Sequence, residues 1–189
     1  MTASDDLAAT VRRVSELFQR FSIPFHITGG IACSYHGEPR FTQDIDIVID
    51  PASASARLED LLAAMEGLFI VDSELARKAV ARGGVFQALD LTSLFKVDVY
   101  PRELIPGELG RAKLCELFPG LIVPLVSHVD AILSKLVWVT KGSYRSRRDI
   151  RMLSTALDDA LREELVGRAQ EMHLEGLLHE ILAEREPEE

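Results

Sequence analysis

No stretch of this sequence is apolar for long enough to cross a membrane. The longest such run, Leu121 to Val126, is broken by Pro124 and falls far short of the ~20 residues a span requires. The opening residues, Met1-Thr2-Ala3-Ser4-Asp5-Asp6, carry neither a basic start nor an apolar segment, so no secretory signal is expected. Cysteine is scarce. Cys33 and Cys115 are too few for a disulfide scaffold and lack metal-ligand spacing, which favours a reduced, cytoplasmic setting. Repeats and low-complexity tracts are missing as well. Positive charge is in short supply: 30 acids against 21 bases leave a net charge of −9. That balance argues against a protein that coats duplex nucleic acid with its whole surface.

What is present is a globular composition, 47% hydrophobic and 27% charged over 189 residues. This length supports one domain with its own core, or a core with a short helical appendage. The charge is unevenly placed. Lys135, Lys141, Arg145, Arg147, Arg148 and Arg151 share their stretch with a single acid, Asp149, for a local excess of five positive charges. From Asp158 to Glu189 eleven acids face three arginines. The acidic tail reads as a solvated helix face; the basic stretch is either that or a phosphate-facing surface.

Periodicity predicts alternating helices and strands, then a mostly helical part. Leu7, Val11, Val14, Phe18 and Phe21 recur at helical spacing. A short strand from Phe25 to Thr28 runs into Gly29-Gly30 and one or two helical turns. Asp44-Ile45-Asp46-Ile47-Val48-Ile49 alternates and then turns wholly aliphatic, as a central strand entering a core does. Val85 to Leu91 and Phe95 to Tyr100 are β-rich and predict an antiparallel pair. Arg111 to Phe118 reads as a short helix and Ile122 to Leu125 as extended. Ser127-His128-Val129-Asp130 has the S-x-x-D capping pattern at the head of an apolar helical stripe. The expected organisation is an α/β core over residues 1–101 and a mostly helical C-terminal part over 102–189, packed on that core.

The chemistry lies in three carboxylates. Asp44 and Asp46, two apart in a strand, project from one face of a sheet. Like charges so close repel unless a cation lies between them, and hard oxygen donors suit Mg²⁺ or Mn²⁺. Asp98 lies in Phe95-Lys96-Val97-Asp98-Val99-Tyr100; if that strand pairs beside the first, three carboxylates converge as metal-assisted phosphoryl transfer needs. Upstream, Gly29-Gly30 offers backbone N–H groups and a helix start to a phosphate. Arg40 and Thr42 are candidates for phosphate contact and local hydrogen bonding. His36 reads as a satisfied loop histidine.

These residues carry a resemblance. Ile27-Thr28-Gly29-Gly30-Ile31-Ala32, His36-Gly37, Pro39-Arg40, Thr42 and Asp44-Ile45-Asp46 together resemble the opening motif of the polymerase-beta-type nucleotidyltransferase superfamily. In particular they look like its bacterial branch containing the AbiEii-type toxins of type IV toxin–antitoxin systems. Leu121-Ile122-Val123, the capped helix from Ser127 to Lys135, and Arg148-Asp149-Ile150 resemble a further motif of that branch. The resemblance implies an α/β (α+β) nucleotidyltransferase fold, a mixed sheet flanked by helices. It implies that Gly29 and Gly30 hold a nucleoside triphosphate and that Asp44, Asp46 and Asp98 bind divalent metal. Lys135 would then reach the triphosphate, with Asp149 orienting it or the neighbouring arginines. It also implies transfer of a nucleoside monophosphate to an acceptor hydroxyl on RNA or tRNA, protein or a small molecule, and an antitoxin or toxin partner. Two other readings stay open: a non-catalytic nucleotide-binding or antitoxin-like module of the same fold, and an interaction protein in which the acidic tail binds a basic partner.

Overall fold

The structure, a computed structural model, describes residues 3–39 and 42–184. The order of elements is α1 (Ala3–Arg20), β1 (Phe25–Thr28), α2 (Gly29–His36), β2 (Asp44–Ile49), α3 (Pro51–Met65), β3 (Phe69–Val71), α4 (Ser73–Arg82), β4 (Phe86–Asp90) and β5 (Lys96–Tyr100). Then come the single turn α5 (Glu108–Arg111), β6 (Lys113–Phe118), β7 (Leu121–Leu125), α6 (His128–Thr140), α7 (Arg145–Thr155), α8 (Asp159–Glu171) and α9 (Glu175–Ala183). No helix among the described residues is long and apolar enough to cross a membrane.

The seven strands form one mixed sheet in the order β3-β4-β5-β2-β1-β7-β6. The aliphatic set of the Asp44 strand is why β2 lies at its centre. Ile45, Ile47 and Ile49 are fully buried, and only a strand covered on that face can bury all three. Two parallel pairings, β2 with β5 and β1 with β7, place sequence-distant strands side by side. The β4–β5 pair is antiparallel, as the two β-rich runs led us to expect.

One expectation fails. Lys113 to Phe118 is a strand, and the helical turn ends at Arg111. Gly120, at φ +71°, makes a tight return into β7, and hairpin pairing with β7 outweighs the weak local helix preference. Both strands of this hairpin, although beyond residue 101, extend the same sheet.

The N-cap forms: Ser127 Oγ accepts from the Asp130 N–H at 3.1 Å and donates to Asp130 Oδ2 at 2.7 Å, in place of the backbone bond that a full capping box would make. Asp130 does more than cap. Its buried carboxylate also receives Arg111 at 2.9 Å and Arg168 at 2.6 Å, tying the turn α5 and helix α8 to α6. Burial alone would raise this carboxyl, but the hydrogen bonds from Arg111, Arg168 and Ser127 outweigh it and hold it below the usual range. A depressed folded-state pKa contributes stability above the unfolded value near ~3.9, lost as pH falls through the lower folded value. Asp130→Asn is therefore expected to cost about 3–5 kcal/mol at pH 7, as removing one partner of a buried ion pair does. Urea midpoints from pH 7 down to 2 check this: the parent's advantage over the variant should close only below pH 4.

The acidic tail is not wholly a solvated face. Glu180 and Glu184 near the end of α9 pair with Arg147, and Glu184 also takes Arg151 at 2.5 Å. Leu178 and Ile181, both fully buried, seat α9 against the rest of the fold and bring these acids to α7.

Candidate active site

Sheet register sets the three predicted carboxylates on one face of two neighbouring strands. In the parallel β2–β5 pair, Asp46 stands opposite Asp98 and Asp44 opposite Lys96. Because side chains alternate along a strand, Asp44 and Asp46 on β2 share a face with Lys96, Asp98 and Tyr100 on β5. Val97 and Val99 point the other way into the core.

Two of these side chains escaped the sequence reading. Lys96 Nζ lies 2.9 Å from Asp98 Oδ2 and 3.2 Å from Asp44 Oδ1, bridging the carboxylates. The Tyr100 hydroxyl donates to Asp46 Oδ1 at 3.3 Å. The signal was present: both share the parity of Asp98 in the strand. Burial, then repulsion from Asp98, raises the Asp46 carboxyl, with Lys135 and the Tyr100 hydroxyl pulling it back. Burial and the charges of Asp46 and Asp98 push the Tyr100 phenol up, so it stays a donor. The hydrogen bond to Asp98, and then the one to Asp44, raises the Lys96 pKa against burial.

The glycine turn abuts these carboxylates. Gly29 opens α2 at φ +63°, and a Cβ built there would fall 1.9 Å from Asp46 Oδ2. Only glycine allows both that conformation and that approach. A Cβ on Gly30 would meet Thr42 Oγ1 at 2.5 Å, while that hydroxyl donates to the Asp44 carbonyl at 2.9 Å. Thr42 thus fixes the entry into β2 beneath the turn. Arg40 lies outside the described residues.

Lys135 and Asp149 also come together. The Lys135 ammonium is 2.9 Å from Asp149 Oδ2, joining α6 to α7 in a largely buried pair. Lys135 lines a cleft of about 230 Å³ with Thr28, Gly29, Asp46, Tyr100 and Trp138. Asp149 lines a neighbouring one of about 330 Å³ with Cys33, Arg145 and Arg148. His36 is satisfied, its ring donating to the Val126 carbonyl at 2.9 Å and stacking on His128. Cys33 and Cys115 form no disulfide.

The chemistry of the donor set suits a hard divalent cation: all three groups are carboxylates, and Asp98 Oδ1 is buried without a hydrogen-bond partner. The Lys96 ammonium occupies the space between Asp44 and Asp98 and would have to give way to a metal. Among the described residues no three or more His, Cys, Asp or Glu side chains gather into a ready metal shell.

Solved structures share this architecture. The antibiotic-resistance factor ANT(2'')-Ia superposes with a TM-score of 0.61 at 18% identity, over 95% of this chain and 100% of its own. The lincosamide antibiotic adenylyltransferase LnuA gives 0.52 at 12%, over 78% and 96%. An antigenic nucleotidyltransferase-like protein from Paracoccidioides brasiliensis gives 0.56 at 18%, over 93% of each chain. The fold is that of the nucleotidyltransferases. Within them the chain belongs to the AbiEii family: residues 15–188 match the family described as nucleotidyl transferase AbiEii toxin, type IV TA system. No curated protein sequence matches the chain.

Proposed function

We propose that the protein is a metal-dependent nucleotidyltransferase that moves a nucleoside monophosphate from a triphosphate to an acceptor hydroxyl, as the toxin of a toxin–antitoxin pair. The observation that carries this reading is the register that sets Asp46 beside Asp98, with Gly29 packed against Asp46. In this reading Gly29 and Gly30 hold the triphosphate through backbone N–H groups, and Lys135, kept in place by Asp149, meets it as a point charge. Mg²⁺ or Mn²⁺ held by Asp44, Asp46 and Asp98 would neutralise the charge of the triphosphate and of the leaving pyrophosphate. Asp98 orients the acceptor hydroxyl and receives its proton. The hydroxyl oxygen bonds to the α-phosphorus as the bond to pyrophosphate breaks.

The acceptor side is supported by how the basic stretch divides. Arg147 and Arg151 are neutralised by the tail, while Arg145 and Arg148 remain exposed beside Tyr144, 85% of whose surface is open. Exposed aromatic and guanidinium groups together favour a single-stranded RNA end, such as that of tRNA, whose bases stack and whose phosphates pair.

The test is incubation with each α-labelled nucleoside triphosphate, Mg²⁺ and a cell extract, followed by isolation of the labelled molecule. Label in RNA, lost on adding EDTA, is the expected result; label in protein or a small metabolite would reassign the acceptor. One observation favours the non-catalytic module, namely the Lys96 ammonium that already bridges Asp44 and Asp98. Thermal melts separate the two readings. Millimolar Mg²⁺ at ~100 times its Kd adds about 2.7 kcal/mol of stability, and the gain should vanish when Asp44→Asn and Asp46→Asn are combined. A parent that binds nucleotide with a melt indifferent to Mg²⁺ and Mn²⁺ would instead be the binding module.

A further inference from the structure

We propose that Trp138 is the platform on which the base of the bound nucleoside triphosphate stacks, making the part of the cleft that the indole lines a nucleobase subsite. This rests on the nucleotidyltransferase reading above and adds where, and by what chemistry, the base is held.

Trp138 stands three residues after Lys135 on α6, so the two side chains share a helix face about one turn apart. Both line the same cleft as Gly29 and Asp46. A triphosphate seated at the glycine turn and Lys135 shares its cleft with the indole, which among the described residues is the one aromatic ring besides Tyr100 lining that cleft. Trp138 is 38% exposed, so part of its indole is open to a ligand. The Lys141 ammonium sits 5.0 Å from its ring centroid, and Lys141 is not among the residues that line the cleft. A cation so placed holds the ring by cation–π attraction. The same cleft is also lined by Ser143 and Ser146, which hydrogen-bond each other at 2.8 Å, and by Leu104 and Arg102 from the connection after β5. An exposed aromatic face in a cleft that also holds an aliphatic and a guanidinium group is a stacking surface, and every base has a π-face to offer it. Such a surface selects for the presence of a base more than for its identity.

Trp138 is the only tryptophan in the chain, so the protein reports on the subsite directly. ATP, GTP, CTP and UTP are titrated while tryptophan fluorescence is read, with inorganic tripolyphosphate as the base-free probe and equilibrium dialysis as the independent measure of binding. The expected result is saturable quenching by all four nucleotides, and tripolyphosphate binding without quenching. Trp138→Phe should keep nucleotide affinity within about threefold. Trp138→Ala should lose about tenfold, or ~1.4 kcal/mol, while still binding tripolyphosphate as the parent does, which shows that the cleft is folded. Nucleotides that bind by dialysis without quenching, or with unchanged affinity in Trp138→Ala, overturn the subsite and leave the transferase reading standing. Tripolyphosphate that quenches as strongly as ATP also overturns it. Failure of any nucleotide to bind the parent removes both.

Discussion

Asp98→Asn is expected to abolish nearly all label transfer, about 10²–10⁴-fold, the usual loss when one group acting on the transferred proton is removed. Triphosphate affinity should stay within about tenfold, or ~1.4 kcal/mol. Asparagine matches aspartate in volume, so the β2–β5 register that positions this side chain should survive. What changes is charge. Lys96 loses the nearer of its two partners, and Asp46 loses one of the repulsions that raise its carboxyl. Single-turnover label transfer beside equilibrium dialysis separates these effects. Full transfer by a folded Asp98→Asn variant would remove Asp98 from the chemistry.

The second large effect is expected at Gly29. Alanine there must adopt φ +63° with its Cβ 1.9 Å from Asp46 Oδ2 and 2.7 Å from Asp46 Cβ. Rotating the carboxylate relieves the first contact but not the second, so β2 and the turn must part. Left-handed backbone alone costs about 1–2 kcal/mol, and each ~1 kcal/mol moves the melting point of a chain this size by roughly 2–4 °C. Transfer should fall by a further ~10² or more, because displacements near 1 Å at a reacting centre have that effect. Gly67 supplies the control: its φ is +77°, yet a Cβ there would meet nothing within 4 Å. Gly67→Ala should show the backbone cost with transfer intact. Equal activity in the two variants would mean that the turn does not set the position of Asp46.

The sheet face of Asp98 was legible more than fifty residues away from Asp44 because strand side chains repeat with period two. Val97 and Val99 had to be inside, so Asp98 had to be outside. The same rule covered Lys96 and Tyr100, but nothing in one dimension says that an ammonium will settle between two particular carboxylates. The strand at Lys113–Phe118 was misread for a related reason. Its side chains are mostly exposed or half-buried, so no aliphatic parity marks it, and its conformation is set by the partner strand across Gly120. Ser127-x-x-Asp130 announced a helix start correctly, while the arginines that complete Asp130 sit 19 positions upstream and 38 downstream of it, beyond any local pattern. The basic stretch divides into neutralised and open arginines only once α9 returns to α7.

The two parallel pairings have a consequence in time. A parallel partner cannot be reached by a tight turn, and non-local pairings close slowly because the loop entropy comes due before the contacts form. β1 completes its pairing only with β7, and β2 only with β5, while Lys135 and Asp149 arrive later still along the chain. During synthesis, then, the glycine turn and the first two carboxylates emerge long before anything can hold them in working order. A ribosome-bound fragment ending before α7 lacks Asp149, the partner of Lys135, and is expected to bind no nucleoside triphosphate in a filter-binding assay.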